Sequence, residues 1–354
     1  VSRIAGAQQA SRLESEPRSL DKIVFEDHQG RERHLTEVLA TTSNQGLVVL
    51  QGGRIVAEQY GLGYDGSRPH ILFSVSKSLT AALAGILVDR GQLDPDSRVT
   101  NYIPEVANSA YGDCTVRHVL DMTVSSSFSE EYLDTTGEFS RYRRATLWNP
   151  STPGEPVGTL HGFLETLSRA PGPHGEIFHY LSPNSDFLGW LLERVSGQDF
   201  TTLFSELIWK PIGAEAEAYV TVDSAGSPRT AGGICALPRD LARFGDMMRQ
   251  GGQCQGVDVV PGWWVDDIRS GGDSGPWKKS DMVEVFPDGR YRSKWYQSGY
   301  ASGAFCGIGI HGQMLWIDPE REVVIAYVSA QPDPVSRDFE ILLAYAFEAI
   351  AKAL

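Results

Sequence analysis

The chain has 354 residues, 41% of them apolar and 21% charged, a balance that can fill one large core or two smaller ones. Its formal net charge of −14 argues against nucleic acid or an anionic membrane surface as a partner and is read as solubility. No apolar run reaches membrane-spanning length.

The N-terminus is polar and lacks the apolar stretch of a signal peptide, so a cytoplasmic location is expected; a chain beginning at Val1 is also compatible with a cleaved leader. Cys114, Cys235, Cys254 and Cys306 form no CxxC pair and read as reduced thiols. The eight histidines show no metal-ligand spacing, so neither a metal nor a cofactor is expected. The oligomeric state is left open, a homodimer included.

Residues 1–40 are mostly polar and read as irregular chain around the body, with a short element near Ile23 to Phe25. Gly46 to Gln51 and Arg54 to Tyr60 are two β-rich runs joined by Gly52-Gly53, the signature of a hairpin. A helix follows from Ser74, with Val75, Leu79, Ala82, Leu83, Ile86 and Leu87 predicted on one face and Gly91 and Pro95 as stops.

Short helices are predicted at Val116 to Met122 and Leu160 to Leu167. Longer ones are expected at Ser185 to Val195, stopped by Gly197, and at Leu237 to Met248, followed by Gly251-Gly252. Gly307 to Ile317 and Glu322 to Val328 read as strands around an Asp318-Pro319-Glu320-Arg321 turn. An amphipathic helix with Phe339, Leu342, Leu343, Ala346 and Ile350 ends the chain.

Hairpins at both ends and helices between predict an α+β fold. Residues 1–100 and 216–354 would form a subdomain whose antiparallel sheet is flanked by the Ser74 helix and the last helix. Residues 101–215 would form an all-helical insertion, with a ligand in the cleft between the two.

Ser74-Val75-Ser76-Lys77 sets a hydroxyl and an amine three residues apart, hence on one helix face, at the end where backbone N–H groups are free. A lysine so placed can deprotonate the serine, and free N–H groups can receive an oxyanion. A buried helix with a polar first turn would show the same motif. A second copy, Ser19-Leu20-Asp21-Lys22, has no apolar periodicity behind it and reads as surface.

Five ordered stretches point further. They are Phe73 to Ser78, Tyr180 to Asp186, Gly232-Gly233-Ile234 with Pro238 to Arg243, Phe286 to Gly289, and Gly307 to Gln313. Together they resemble the serine β-lactamase and penicillin-recognising superfamily, on the branch with family VIII carboxylesterases and 6-aminohexanoate-oligomer (nylon-oligomer) hydrolases. The resemblance implies a β-lactamase/DD-peptidase-like fold and an acyl-enzyme mechanism on small esters or linear amides. It implies Ser74 as nucleophile, Lys77 as its proton acceptor, and Tyr180 as a general base with the lysine and then a proton donor to the leaving group. A nearby cation, Lys77, would lower the phenol's pKa.

Where the family usually has asparagine after that tyrosine, this chain has Ser182, which fits the nylon-oligomer type and is expected to bond the lysine. Gly307-Ile308-Gly309 aligns with the strand motif lining the cleft but lacks its basic residue, which argues against β-lactams. Gly309 would let substrate approach the backbone, and the N–H groups of Ser74 and Ile310 would form the oxyanion hole. Tyr132, Trp295 and His311 are expected in the pocket wall. Arg143 falls where some relatives place an acidic residue for a substrate amine, so an anionic or uncharged substrate is expected. A D-alanyl peptidase, a β-lactamase, or a binding protein with an impaired site on the same fold would share these motifs.

Overall fold

The computed structural model describes residues 1–151, 154 and 157–354. The two predicted hairpins meet in one seven-stranded antiparallel sheet. Its strands are β1 (Asn44–Gln51), β2 (Arg54–Tyr60), β3 (Arg290–Arg292), β4 (Trp295–Gln297), β5 (Phe305–Gly309), β6 (Gln313–Asp318) and β7 (Val323–Ser329). In space they run β3-β4-β5-β6-β7-β1-β2, so β7 pairs with β1 and joins the ends of the chain. Gly52 and Gly53 both take positive φ, +54° and +78°, as a two-residue hairpin turn of this hand requires.

Side chains alternate across this sheet as period two demands. Val324, Ala326 and Val328 of β7 enter one core, and Val323, Ile325 and Tyr327 enter the other. The first core receives α1 (Val75–Asp89). The second receives the C-terminal helix, whose Phe347 ring lies 5.5 Å from Tyr327 and 6.5 Å from Trp316. The two flanking helices therefore cover opposite faces.

Between residues 99 and 212 the described elements are all helical. They include α2 (Val116–Leu120), α3 (Glu138–Ala145) and α4 (Ser182–Ser196). After them come α5 (Pro238–Arg249) and finally α6 (Arg337–Ala353). Among the described residues no helix is long and apolar enough to cross a membrane. All four cysteines are free thiols.

Three expectations change. The Ser74 helix is not amphipathic: every residue from Val75 to Leu87 is buried, because α1 lies between the sheet and α4. The predicted run Gly307 to Ile317 is two strands, broken where His311 and Gly312 turn to φ +58° and +85°. The helices at 138–145 and 262–270 were not predicted, although Phe139, Tyr142 and Ala145 in the first and Trp264, Val265 and Ile268 in the second repeat at helical spacing; strands β3 and β4, of three residues each, are too short to show a period.

Candidate active site

A small second sheet positions Ser74. It orders Ser2–Ile4, Ala218–Val220, Ile234–Ala236 and His70–Ile71 side by side. The pairing of Ile71 with Cys235 brings the segment entering α1 beside Ala231 to Ile234. Leu72 N–H donates to the Ile234 carbonyl, and the Ile234 N–H donates to Ser76 Oγ at 3.1 Å. The chain then turns through Phe73, a non-glycine residue at φ +43°, directly before Ser74. A residue held there stores on the order of 1–3 kcal/mol of strain, sustained by the bonds on either side.

Lys77 is 1% exposed. Its Nζ stands 2.7 Å from Ser74 Oγ, 3.1 Å from Ser182 Oγ and 2.7 Å from the Ala231 carbonyl oxygen. Burial disfavours the ammonium and brings its pKa down to about 8, against the opposing pull of the Glu130 and Asp186 carboxylates. Arg229 adds to the lowering. The amine form is thus accessible near neutral pH, which an exposed lysine would not allow.

The phenol of Tyr180 also converges on this point. Lys77 Nζ lies over its ring, 4.9 Å from the centroid. Burial and then the Glu130 charge push the phenol well above its ordinary pKa, while contacts with the Ser74 and Tyr296 side chains work the other way. The expectation that Lys77 lowers this pKa is corrected: the ammonium faces the ring, and desolvation dominates. Tyr180 is a neutral hydroxyl at neutral pH.

Glu130 organises the opposite side. One oxygen accepts from Ser182 Oγ at 2.6 Å and Tyr132 Oη at 2.7 Å, and the other accepts from the Ser182 N–H at 2.5 Å. Ser182 is therefore the link between Lys77 and a carboxylate. A second buried acid, Asp186, holds the lysine from behind. Its Oδ1 accepts from the Ala231 N–H at 2.7 Å and its Oδ2 from Tyr142 Oη at 2.5 Å, and the carbonyl of that same Ala231 accepts from Lys77. Burial raises the Asp186 carboxyl to about 6 against these partners.

The strand β5 supplies the last wall. A Cβ on Gly307 would stand 2.8 Å from Ser78 Oγ, so this strand packs directly on α1. A Cβ on Gly309 would stand 2.8 Å from the Leu72 carbonyl oxygen and 3.1 Å from the Ser74 amide nitrogen. Glycine at 309 is needed for that close approach, not for its backbone angle. It brings the end of β5, and hence Ile310, beside Ser74 at the N-terminus of α1.

Ser74, Glu130, Tyr132, Tyr180, Tyr296, Gly309 and Ile310 all border one cleft of about 580 Å³. Two expected wall residues, Trp295 and His311, do not, and neither does Arg143. Trp295 is fully buried between Phe244 and Phe305, while its neighbour Tyr296 faces the cleft, as alternation along β4 requires. Arg143 does not reach for substrate: its guanidinium donates to the Tyr132 and Asp134 carbonyls and stacks over Phe139, pinning the loop that carries Tyr132. His311 bonds the Gln331 carbonyl at 2.8 Å and packs its ring on Phe73, the residue before Ser74, at 5.2 Å. Glu130, Asp186 and Tyr296 were not identified from sequence. Glu130 stands two residues before Tyr132, and Tyr296 is one place from the residue chosen. Among the described residues no three His, Cys, Asp or Glu side chains cluster as a metal site would require.

The beta-lactamase family model matches residues 32–348. A 6-aminohexanoate-dimer hydrolase from Paenarthrobacter ureafaciens is 38% identical over 320 residues, covering 90% of this chain and 81% of that protein. In the solved structures, a Bacillus anthracis protein provisionally described as a 6-aminohexanoate-dimer hydrolase superposes with a TM-score of 0.87 at 24% identity, over 99% of this chain and 90% of its own. A family VIII carboxylesterase gives 0.65 at 16% identity, over 89% and 96%. These two structural likenesses bear on the fold. With the family match spanning most of the sequence, the chain is a member of the beta-lactamase family, a hydrolase with the β-lactamase/penicillin-binding-protein-like α+β fold.

Proposed function

We propose that this protein is a serine hydrolase that cleaves small carboxylic esters or linear amides through an acyl-enzyme on Ser74. One observation supports this most directly: a buried amine of lowered pKa, 2.7 Å from a hydroxyl at a helix N-terminus. Lys77, as the neutral amine, takes the Ser74 proton while Oγ attacks the substrate carbonyl. The N–H groups of Ser74 and Ile310 receive the oxyanion. Tyr180, still protonated, gives its proton to the leaving oxygen or nitrogen, and the proton held on Lys77 restores the phenol. Water then attacks the ester on Ser74 by the same transfers in reverse. Ser182, tied to Glu130, keeps Lys77 aimed at Oγ.

A β-lactam or D-alanyl peptide substrate draws no support from β5. Where penicillin-recognising relatives carry a cation, this strand carries Gly307, packed against Ser78. The test is hydrolysis of p-nitrophenyl butyrate by the wild type and by Ser74→Ala. Turnover in the first and none in the second is expected. A wild type inactive on both esters and linear amides overturns the reading.

A further inference from the structure

Tyr296 is 5% exposed and borders the cleft, and no step of the proposed reaction uses it. Its backbone is paired on both sides, opposite Tyr291 and Cys306. Its ring is clamped edge-on by Tyr291 at 4.8 Å and by Trp277 at 6.0 Å. A third ring beside it belongs to Tyr180, 6.4 Å away and within 23° of parallel. A buried tyrosine ordinarily gives its hydroxyl a partner. Tyr111, Tyr132 and Tyr142 do so, with Asn184, Glu130 and Asp186. The Tyr296 hydroxyl has no hydrogen bond among the described residues, yet the side chain contacts the Tyr180 hydroxyl. Burial holds the Tyr296 phenol well above its ordinary pKa, so toward Tyr180 it is a neutral donor.

The proposed reaction creates a use for that donor. Tyr180 takes on negative charge whenever it passes its proton on, and burial and the Glu130 and Glu340 carboxylates oppose that charge. Glu340 borders the same cleft. Two side-chain contacts ease the charge, those of Ser74 and Tyr296. Once Ser74 is acylated its Oγ has no hydrogen left to donate, and of these two only Tyr296 remains.

We propose that Tyr296 is a positioning residue for Tyr180, donating a hydrogen bond to its oxygen as the phenolate forms, and that hydrolysis of the acyl-enzyme depends on this bond. The inference rests on the acyl-enzyme reading of Ser74. In that hydrolysis Tyr180 passes its proton to Lys77 and takes one from water, whose oxygen bonds to the acyl carbon. The bond from that carbon to Ser74 Oγ then breaks, and Oγ takes the proton from Lys77. Such hydrogen bonds are often loose before substrate is bound and tighten in the transition state.

The test is Tyr296→Phe, which keeps the ring and its packing and removes only the hydroxyl. With p-nitrophenyl butyrate, whose leaving group needs no proton, acylation should be unchanged and deacylation slower by about tenfold or more. The variant should release a burst of p-nitrophenol equivalent to its Ser74 content. Its kcat and KM should fall together while kcat/KM holds. Intact-protein mass spectrometry should show the butyryl adduct outliving that of the wild type by the same factor. A merely structural role would lower kcat/KM and leave no adduct, and that result overturns the proposal, as does an adduct that clears as fast as in the wild type. A wild type that turns over neither esters nor linear amides overturns the reading of Ser74 and takes this inference with it.

Discussion

Glu130→Gln should move the acidic limb of the kcat/KM profile to lower pH. On the proposed mechanism the limb reports Lys77, whose amine must be unprotonated to accept the Ser74 proton and whose pKa burial brings down to about 8. Glu130 favours the ammonium form. The two charges are joined through Ser182, with contacts of 3.1 and 2.6 Å on either side of its Oγ, which puts them within about 6 Å. At an effective dielectric of about 20 the attraction is about 3 kcal/mol, or about two pH units at 1.36 kcal/mol each. Glu130 is only half-buried, so solvent screening reduces this to about one unit. Removing the negative charge makes the proton easier to lose, and the base form then exists at lower pH. The assay is kcat/KM for a neutral p-nitrophenyl ester between pH 5 and 10 in wild type and variant. The plateau should fall somewhat, because a glutamine has a single acceptor oxygen for the N–H and O–H of Ser182. A limb that stays in place or moves upward would refute the electrostatic reasoning.

Two other substitutions separate the remaining roles. Gly309→Ala drives a Cβ against the Leu72 carbonyl and toward the Ser74 amide, so kcat should fall by about 10²–10³ with little change in KM; a kcat within threefold of wild type would remove Gly309 and Ile310 from the oxyanion hole. Tyr180→Phe should cost about 10²–10⁴ on a linear amide and much less on a p-nitrophenyl ester, whose phenolate leaves without a proton; equal losses on both would mean that Tyr180 is not the proton donor.

Local features were legible in the amino-acid sequence because they depend on near neighbours. The Gly52-Gly53 turn, the three-residue spacing of Ser74 and Lys77, the helix before Gly91 and the strand after the Asp318 to Arg321 turn each follow from the backbone over a few residues. The five ordered motifs added the superfamily, and with it Tyr180 and Ser182 as partners of Lys77. The direction of a side chain in a short strand was not legible: β4 has three residues, too few to show a period, so Trp295 was chosen where Tyr296 faces the cleft.

The partners of the acidic groups and of Arg143 were decided by tertiary structure alone. Glu130 meets Ser182 across 52 positions, and Asp186 is bridged to Lys77 by the Ala231 peptide, 45 positions from it. Arg143 is expected from sequence to face a substrate, and the structure ties it to its own loop instead. A sequence states which charges exist. Their pKa values and their partners depend on what excludes water around them, and in this chain that is the packing of α1 between the sheet and α4.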